Sequence, residues 1–147
     1  MCKTWKHAEH KICKLLGAYR NQNPHGVDGF NERLAIEVKH KTKMPLTITT
    51  ESQTRVELVL EDDEAETHNY VMMRVSVMQR LLDDPRKRSE TYANRKMSKF
   101  ALDALQQAQK GRIEQQVPIA VFHRKDQIYK DSVVLMTYLD YQQLVST

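Results

Sequence analysis

A chain of 147 residues, 40% apolar and 29% charged, can close one hydrophobic core but not two ordinary ones. Four Gly and four Pro without a Gly/Ser-rich or Pro-rich tract exclude long linkers and low-complexity architecture, and no stretch reads as a bilayer span. The net charge of +4 understates the basic character: six acids fall between Glu57 and Glu66, leaving 23 basic against 13 acidic side chains elsewhere, a net of +10.

A basic body suits a polyanionic partner, because each phosphate contact releases condensed counterions. The basic amino terminus is not followed by the apolar run of a secretory signal. Cys2 and Cys13 are too few for a disulfide framework, so the expected setting is reducing and cytoplasmic.

Taken along the chain, the first helix is expected from about Thr4 to Leu16, ending at Gly17, with Trp5, Ala8, Ile12, Leu15 and Leu16 as its apolar stripe. Glu9 falls within that stripe, where a carboxylate needs a partner. After an irregular stretch marked by Pro24, Gly26 and Gly29, Arg33 to His40 reads as a strand. Leu34, Ile36 and Val38 face one way, and Ala35, Glu37 and Lys39 the other. A hairpin turning through Phe30 to Leu34, symmetric about Glu32 and Arg33, sets Asp28 opposite Glu37.

Arg55 to Leu60 reads as a strand and Glu61 to Glu66 as an acidic loop. The alternation of Val71, Met73, Val75 and Val77 predicts a strand to about Val77, then a short helix. A basic link, Pro85 to Arg88, leads to a helix with the stripe Met97, Phe100, Ala101, Ala104, Leu105 and Ala108, stopped by Gly111. Val117 to His123 and Ser132 to Thr137 form a hairpin around Arg124 to Gln127, and Tyr138 to Val145 closes with a short helix. This order fits an α/β fold with a mixed central sheet and helices on both faces.

Hydrolysis of a phosphodiester with a divalent cation needs oxygen ligands that leave coordination positions for water and phosphate. Asp28 and Glu37 on adjacent strands, with the carbonyl of Val38, offer such a set for Mg²⁺, for which Mn²⁺ would substitute. Lys39 shares the face of Glu37 and can orient the attacking water or offset charge on the phosphate. Glu9 would add a ligand from the helix. The bland alternative for Glu9 is a boundary residue paired with a nearby base. His40, Lys41 and Lys43 follow the strand as a basic run suited to phosphate, and Arg124 belongs to a second basic surface on the terminal hairpin.

Glu-x-Lys alone carries little weight in so charged a chain, since Glu9-His10-Lys11 also matches it. Asp28 followed by Ala35-Ile36-Glu37-Val38-Lys39-His40, behind a helix with an inward Glu and the ending Leu16-Gly17-Ala18, resembles the PD-(D/E)xK nuclease superfamily. Within it the likeness is to archaeal-type Holliday-junction resolvases and related small phage nucleases. Val27 stands where that motif most often has Pro. The likeness extends over residues 4 to 45 and 98 to 145, including Val117 to Arg124, and leaves about 50 to 96 as an insertion in a single domain spanning 1–147.

The resemblance implies a restriction-endonuclease-like core and a Mg²⁺-dependent endonuclease acting on DNA, with a junction resolvase on branched DNA as the specific expectation. It also points the helix carrying Gln107 toward the site and implies a homodimer, because two symmetric nicks across a junction need two active sites. The competing readings are a restriction- or repair-type nuclease on duplex DNA and a non-catalytic nucleic-acid-binding module.

Overall fold

The computed structural model describes residues 5–22, 26–45, 48–50, 52–60, 69–113 and 115–146. Helix α1 (Trp5–Leu15) buries Ala8, Glu9, Ile12 and Cys13, and Gly17 stops it with a positive φ of 71°, a conformation in which a side chain is strained. The chain then runs through β1 (Tyr19–Arg20), β2 (Gly29–Phe30) and β3 (Leu34–Lys41). The turn into β3 is fixed by the Asn31 side chain, whose Oδ1 accepts from the amides of Arg33 and Leu34, both at 2.8 Å. Ladder pairs Gly29↔Ile36 and Phe30↔Ala35 give the register that the symmetry about Glu32 and Arg33 requires.

After β3 come β4 (Val56–Leu60), β5 (Asn69–Arg74), α2 (Val75–Asp83), β6 (Glu90–Asn94), α3 (Lys99–Gly111), β7 (Val117–Arg124), β8 (Val133–Thr137) and α4 (Tyr138–Val145). They complete a mixed eight-stranded sheet of order β1-β2-β3-β7-β8-β5-β4-β6, in which β3 pairs with β7, and β4 with β6, in parallel. Leu34, Ile36, Val38, Val121, Val134 and Met73 share one core with residues of α1, α2 and α4. Ala120, Phe122, Leu135 and Met72 share the other with Ala101, Ala104 and Leu105 of α3. The chain is thus an α/β protein with a mixed sheet between two helical layers. Among the described residues, no helix is long and apolar enough to cross a membrane.

Three expectations need correction. The strand expected to reach Val77 ends at Arg74, and α2 starts at Val75. Val75, Val77, Met78 and Leu81 are buried at helical spacing, so one buried set satisfies both periods over its first residues and only its continuation distinguishes them. The stretch after the basic link is not a bare connection, since Glu90–Asn94 forms an edge strand beside β4. Met97 lies ahead of its helix, where Ser98 caps α3 by accepting from the Ala101 amide.

The 50–96 stretch also supplies β4, β5 and β6 to the same sheet. The acidic loop of residues 61 to 66 lies outside the described residues. Met72, Met73 and Met78 fill the core, all with no exposed surface.

Candidate active site

Residues in register across neighbouring strands share a face of the sheet. Glu37 opposes Ala120, and Lys39 opposes Phe122, so both acid and lysine stand on the α3 side. The β2–β3 ladder is last paired at Ile36, and one step on, the Asp28 carboxylate replaces the backbone partner: its Oδ2 accepts from the Val38 amide at 2.8 Å. The Asp28 carbonyl in turn accepts from Asn21 N–H at 2.8 Å. A residue's N–H and C=O leave a strand on the same edge, so the Val38 carbonyl also points to the side on which Asp28 lies.

Glu9 arrives from α1. It is 5% exposed, and its Oε1 accepts from Arg20 Nε at 3.0 Å. Asp28 is the acidic neighbour common to Glu9 and Glu37. Burial first, and then the charge of Asp28, push the Glu9 carboxyl up from its ordinary value. The same two causes push Glu37 up to about 7, opposed by the Lys39 ammonium, which stands 3.4 Å from Glu37 Oε2. Three acids therefore converge where α1 meets the edge of β3, with Arg20 and Lys39 as counter-charges.

Glu9 thus has a basic partner in Arg20 and an acidic neighbour in Asp28. Arg20 was not legible in advance, because a two-residue strand carries no periodicity. Among the described residues no group of three or more His, Cys, Asp or Glu side chains is arranged as a ready-made metal site, and the acids are instead tied to each other, to Arg20 and to Lys39.

Gln107 is exposed on α3. Helical spacing sets it one turn from Gly111, whose missing side chain leaves room for Val27, since an added Cβ would lie 2.5 Å from Val27 Cγ1. This stripe faces the residue before Asp28, but among the described residues no hydrogen bond joins Gln107 to the carboxyls. Lys41 continues the face of Lys39, its ammonium 4.2 Å from the Phe100 ring centroid. Lys43 is exposed just beyond the strand, and Arg124, the cross-strand neighbour of Lys41, is exposed too.

His40 belongs to the opposite face, where its ring stacks on His123 with centroids 5.0 Å apart, and His123 stacks on Tyr129 at 4.2 Å. His123 is buried with its Nδ1 3.0 Å from Ser132 Oγ. Glu57, at the start of the acidic stretch, is likewise internal, paired with Arg95 at 3.0 Å.

Neither protein-family models, curated protein sequences nor solved structures give a match to this chain.

Proposed function

We propose that the protein is a metal-dependent endodeoxyribonuclease of the PD-(D/E)xK type with a restriction-endonuclease-like core, hydrolysing phosphodiester bonds in branched DNA as a Holliday-junction resolvase does. The observation that carries the reading is the convergence of Glu9 from α1, Asp28 from the residue before β2 and Glu37 from β3, beside Lys39 two residues along the same strand. Burial and the charge of Asp28 raise the proton affinity of Glu9 and Glu37 even with Arg20 and Lys39 beside them, so the site favours added positive charge. That donor set, all oxygen and with the Val38 carbonyl on the same edge, fits a hard divalent cation.

Glu9, Asp28, Glu37 and the Val38 carbonyl would hold Mg²⁺ or Mn²⁺, which supplies Lewis-acid stabilisation of phosphate charge and a more acidic water. Metal ligation requires ionised carboxylates, and Glu9 and Glu37 are both pushed up from their ordinary values, so metal affinity rises with pH. Lys39 orients the attacking water and offsets charge that develops on the phosphate oxygens. Lys41, Lys43 and Arg124, at the end of β3 and β7, position the neighbouring phosphates. Gln107, one turn from the helix end packed on Val27, borders the same edge. Two symmetric nicks across a junction call for a second copy of the chain.

Linear duplex, flap and four-way junction substrates, each with Mg²⁺, with Mn²⁺ and with chelator, test this reading beside Asp28→Ala. Preferential, metal-dependent junction cleavage lost in the variant is expected. Equal cleavage of plain duplex makes the protein a restriction- or repair-type nuclease, and binding without cleavage under every metal condition removes the enzymatic reading.

A further inference from the structure

On the α3 face, a cavity of about 240 Å³ opens beside the lysine end of the carboxylate site, lined by Met44, Ile48, Phe122, Val133, Arg74 and Arg124 among others. Its position follows from the register. Lys39 opposes Phe122, Phe122 opposes Val133, and Val133 opposes Arg74, so one row of side chains runs from the candidate active site into the cavity across four adjacent strands. At roughly 5 Å per strand, the cavity begins one strand away from Lys39.

The chemistry of the walls is divided. Met44, Ile48, Phe122 and Val133 give an apolar floor; Thr49, Thr50 and Gln127 add neutral polar groups; Arg74 and Arg124 add two guanidinium groups and Asp131 one carboxylate. Arg74 is partly engaged, 3.0 Å from Asp131. Arg124 is exposed and, among the described residues, its guanidinium makes no ion pair. The volume equals roughly eight water molecules and is below the usual size of a drug-like site, which suits one flat ring system rather than an extended ligand. Apolar surface for a ring face and free guanidinium for an anion are the two halves of a nucleotide.

We propose that this cavity is a nucleotide subsite: it receives one unstacked base of an unpaired strand, with Arg124 on the adjoining phosphate, while a neighbouring phosphate lies at Lys39. The inference rests on the nuclease reading for its second half only. A base held one strand from Lys39 requires DNA that is open at the cleavage point, so the subsite favours junctions, flaps and single strands over continuous duplex.

The test uses the full chain in chelator, so that binding is read without cleavage. Oligonucleotides carrying 2-aminopurine, in single-stranded, junction and duplex form, report unstacking by a rise in fluorescence, and titration gives affinity. Thr50→Phe fills the cavity; Arg124→Glu reverses the free charge; Arg86→Glu, on an exposed residue remote from the cavity, controls for net charge. The expected result is a fluorescence rise with unpaired substrates that Thr50→Phe abolishes, and a loss of affinity in Arg124→Glu of about tenfold or more for unpaired DNA, several times the loss for duplex.

Equal losses in Arg124→Glu and Arg86→Glu on all three substrates, or a fluorescence rise unaffected by Thr50→Phe, overturn the subsite. Circular dichroism checks that Thr50→Phe is folded; if it is not, the surface variant Arg124→Glu decides alone. Cleavage assayed in parallel with Mg²⁺ separates the two claims: subsite behaviour without cleavage leaves a nucleotide site and removes the nuclease, whereas cleavage without subsite behaviour does the reverse.

Discussion

Glu37→Gln in metal-free protein should raise stability at alkaline pH and change it little near pH 4.5. Glu37 is held at about 7 in the folded chain against an ordinary value of 4.5, so the folded state binds that proton more tightly than the unfolded one. Below about pH 4.5 both states are protonated and nothing is lost. As pH rises from 4.5 to 7 the unfolded state gives up its proton first, and stability falls until the folded carboxyl also ionises.

At 1.36 kcal/mol for each tenfold, the full penalty above pH 7 is about 3 kcal/mol, most of it developing between about pH 5 and pH 8. For a chain of this size it corresponds to roughly 6–12 °C in melting temperature. Urea or thermal unfolding in chelator, at about pH 5 and pH 8, of wild type and Glu37→Gln measures the difference of differences, which cancels the lost hydrogen bond to Lys39. Added Mg²⁺ should stabilise the wild type at the higher pH and leave the variant nearly unmoved. A stability gap between the two proteins that does not widen with pH, or widens toward acid, would refute the account of Glu37 as a buried acid pressed by Asp28.

Asp28→Ala should abolish metal-dependent cleavage and also cost about 1–3 kcal/mol of stability by leaving the Val38 amide unpaired, read by cleavage assays and by unfolding in chelator. Lys39→Ala should slow single-turnover cleavage by roughly a hundredfold or more while DNA affinity changes little; a matching loss of affinity makes Lys39 an anchor only. Glu9→Gln should weaken the Mg²⁺ response but alter metal-free stability by no more than about 1 kcal/mol, since the lost ion pair with Arg20 is offset by relief from Asp28; an intact Mg²⁺ response strikes Glu9 from the site. Gly29→Ala should destabilise the fold, because its Cβ would meet Cys13 Sγ, and Cys13→Ala in the same chain should restore much of the loss, as thermal melts of the single and double variants will show.

The parts of the site that were legible in the sequence are those that local periodicity specifies. Glu9 stood out because a helix repeats every 3.6 residues, and Asp28 met Glu37 because a hairpin reflects its two arms about one point. The strand alternation likewise separated Lys39 from the core face, and the same rule should have set His40 apart from Lys39 and Lys41. What local pattern could not supply was the long-range pairing. That β7 lies parallel to β3, that β4 to β6 extend the same sheet, and that Arg20 turns toward Glu9 all depend on contacts between segments whose own sequences are silent about each other. The cavity is the extreme case, with walls from Met44, Ile48, Arg74, Phe122 and Val133 among others, and no window of sequence contains it.

The parallel pairing of β3 with β7 bears on how the protein is made. Its eight residue pairs, from Leu34↔Val117 to Lys41↔Arg124, each join positions 83 apart, and contacts of such separation form late because the intervening loop must first be closed at an entropic cost. A nascent or truncated chain that stops ahead of Val117 already carries Asp28, Glu37 and Lys39, yet one edge of β3 stays open. Such an edge is a template for pairing with other chains. Fragments ending between β6 and β7 should therefore aggregate, while the whole chain refolds slowly from denaturant, with the ladder of β3 and β7 closing after the local hairpin that sets Asp28 beside Glu37.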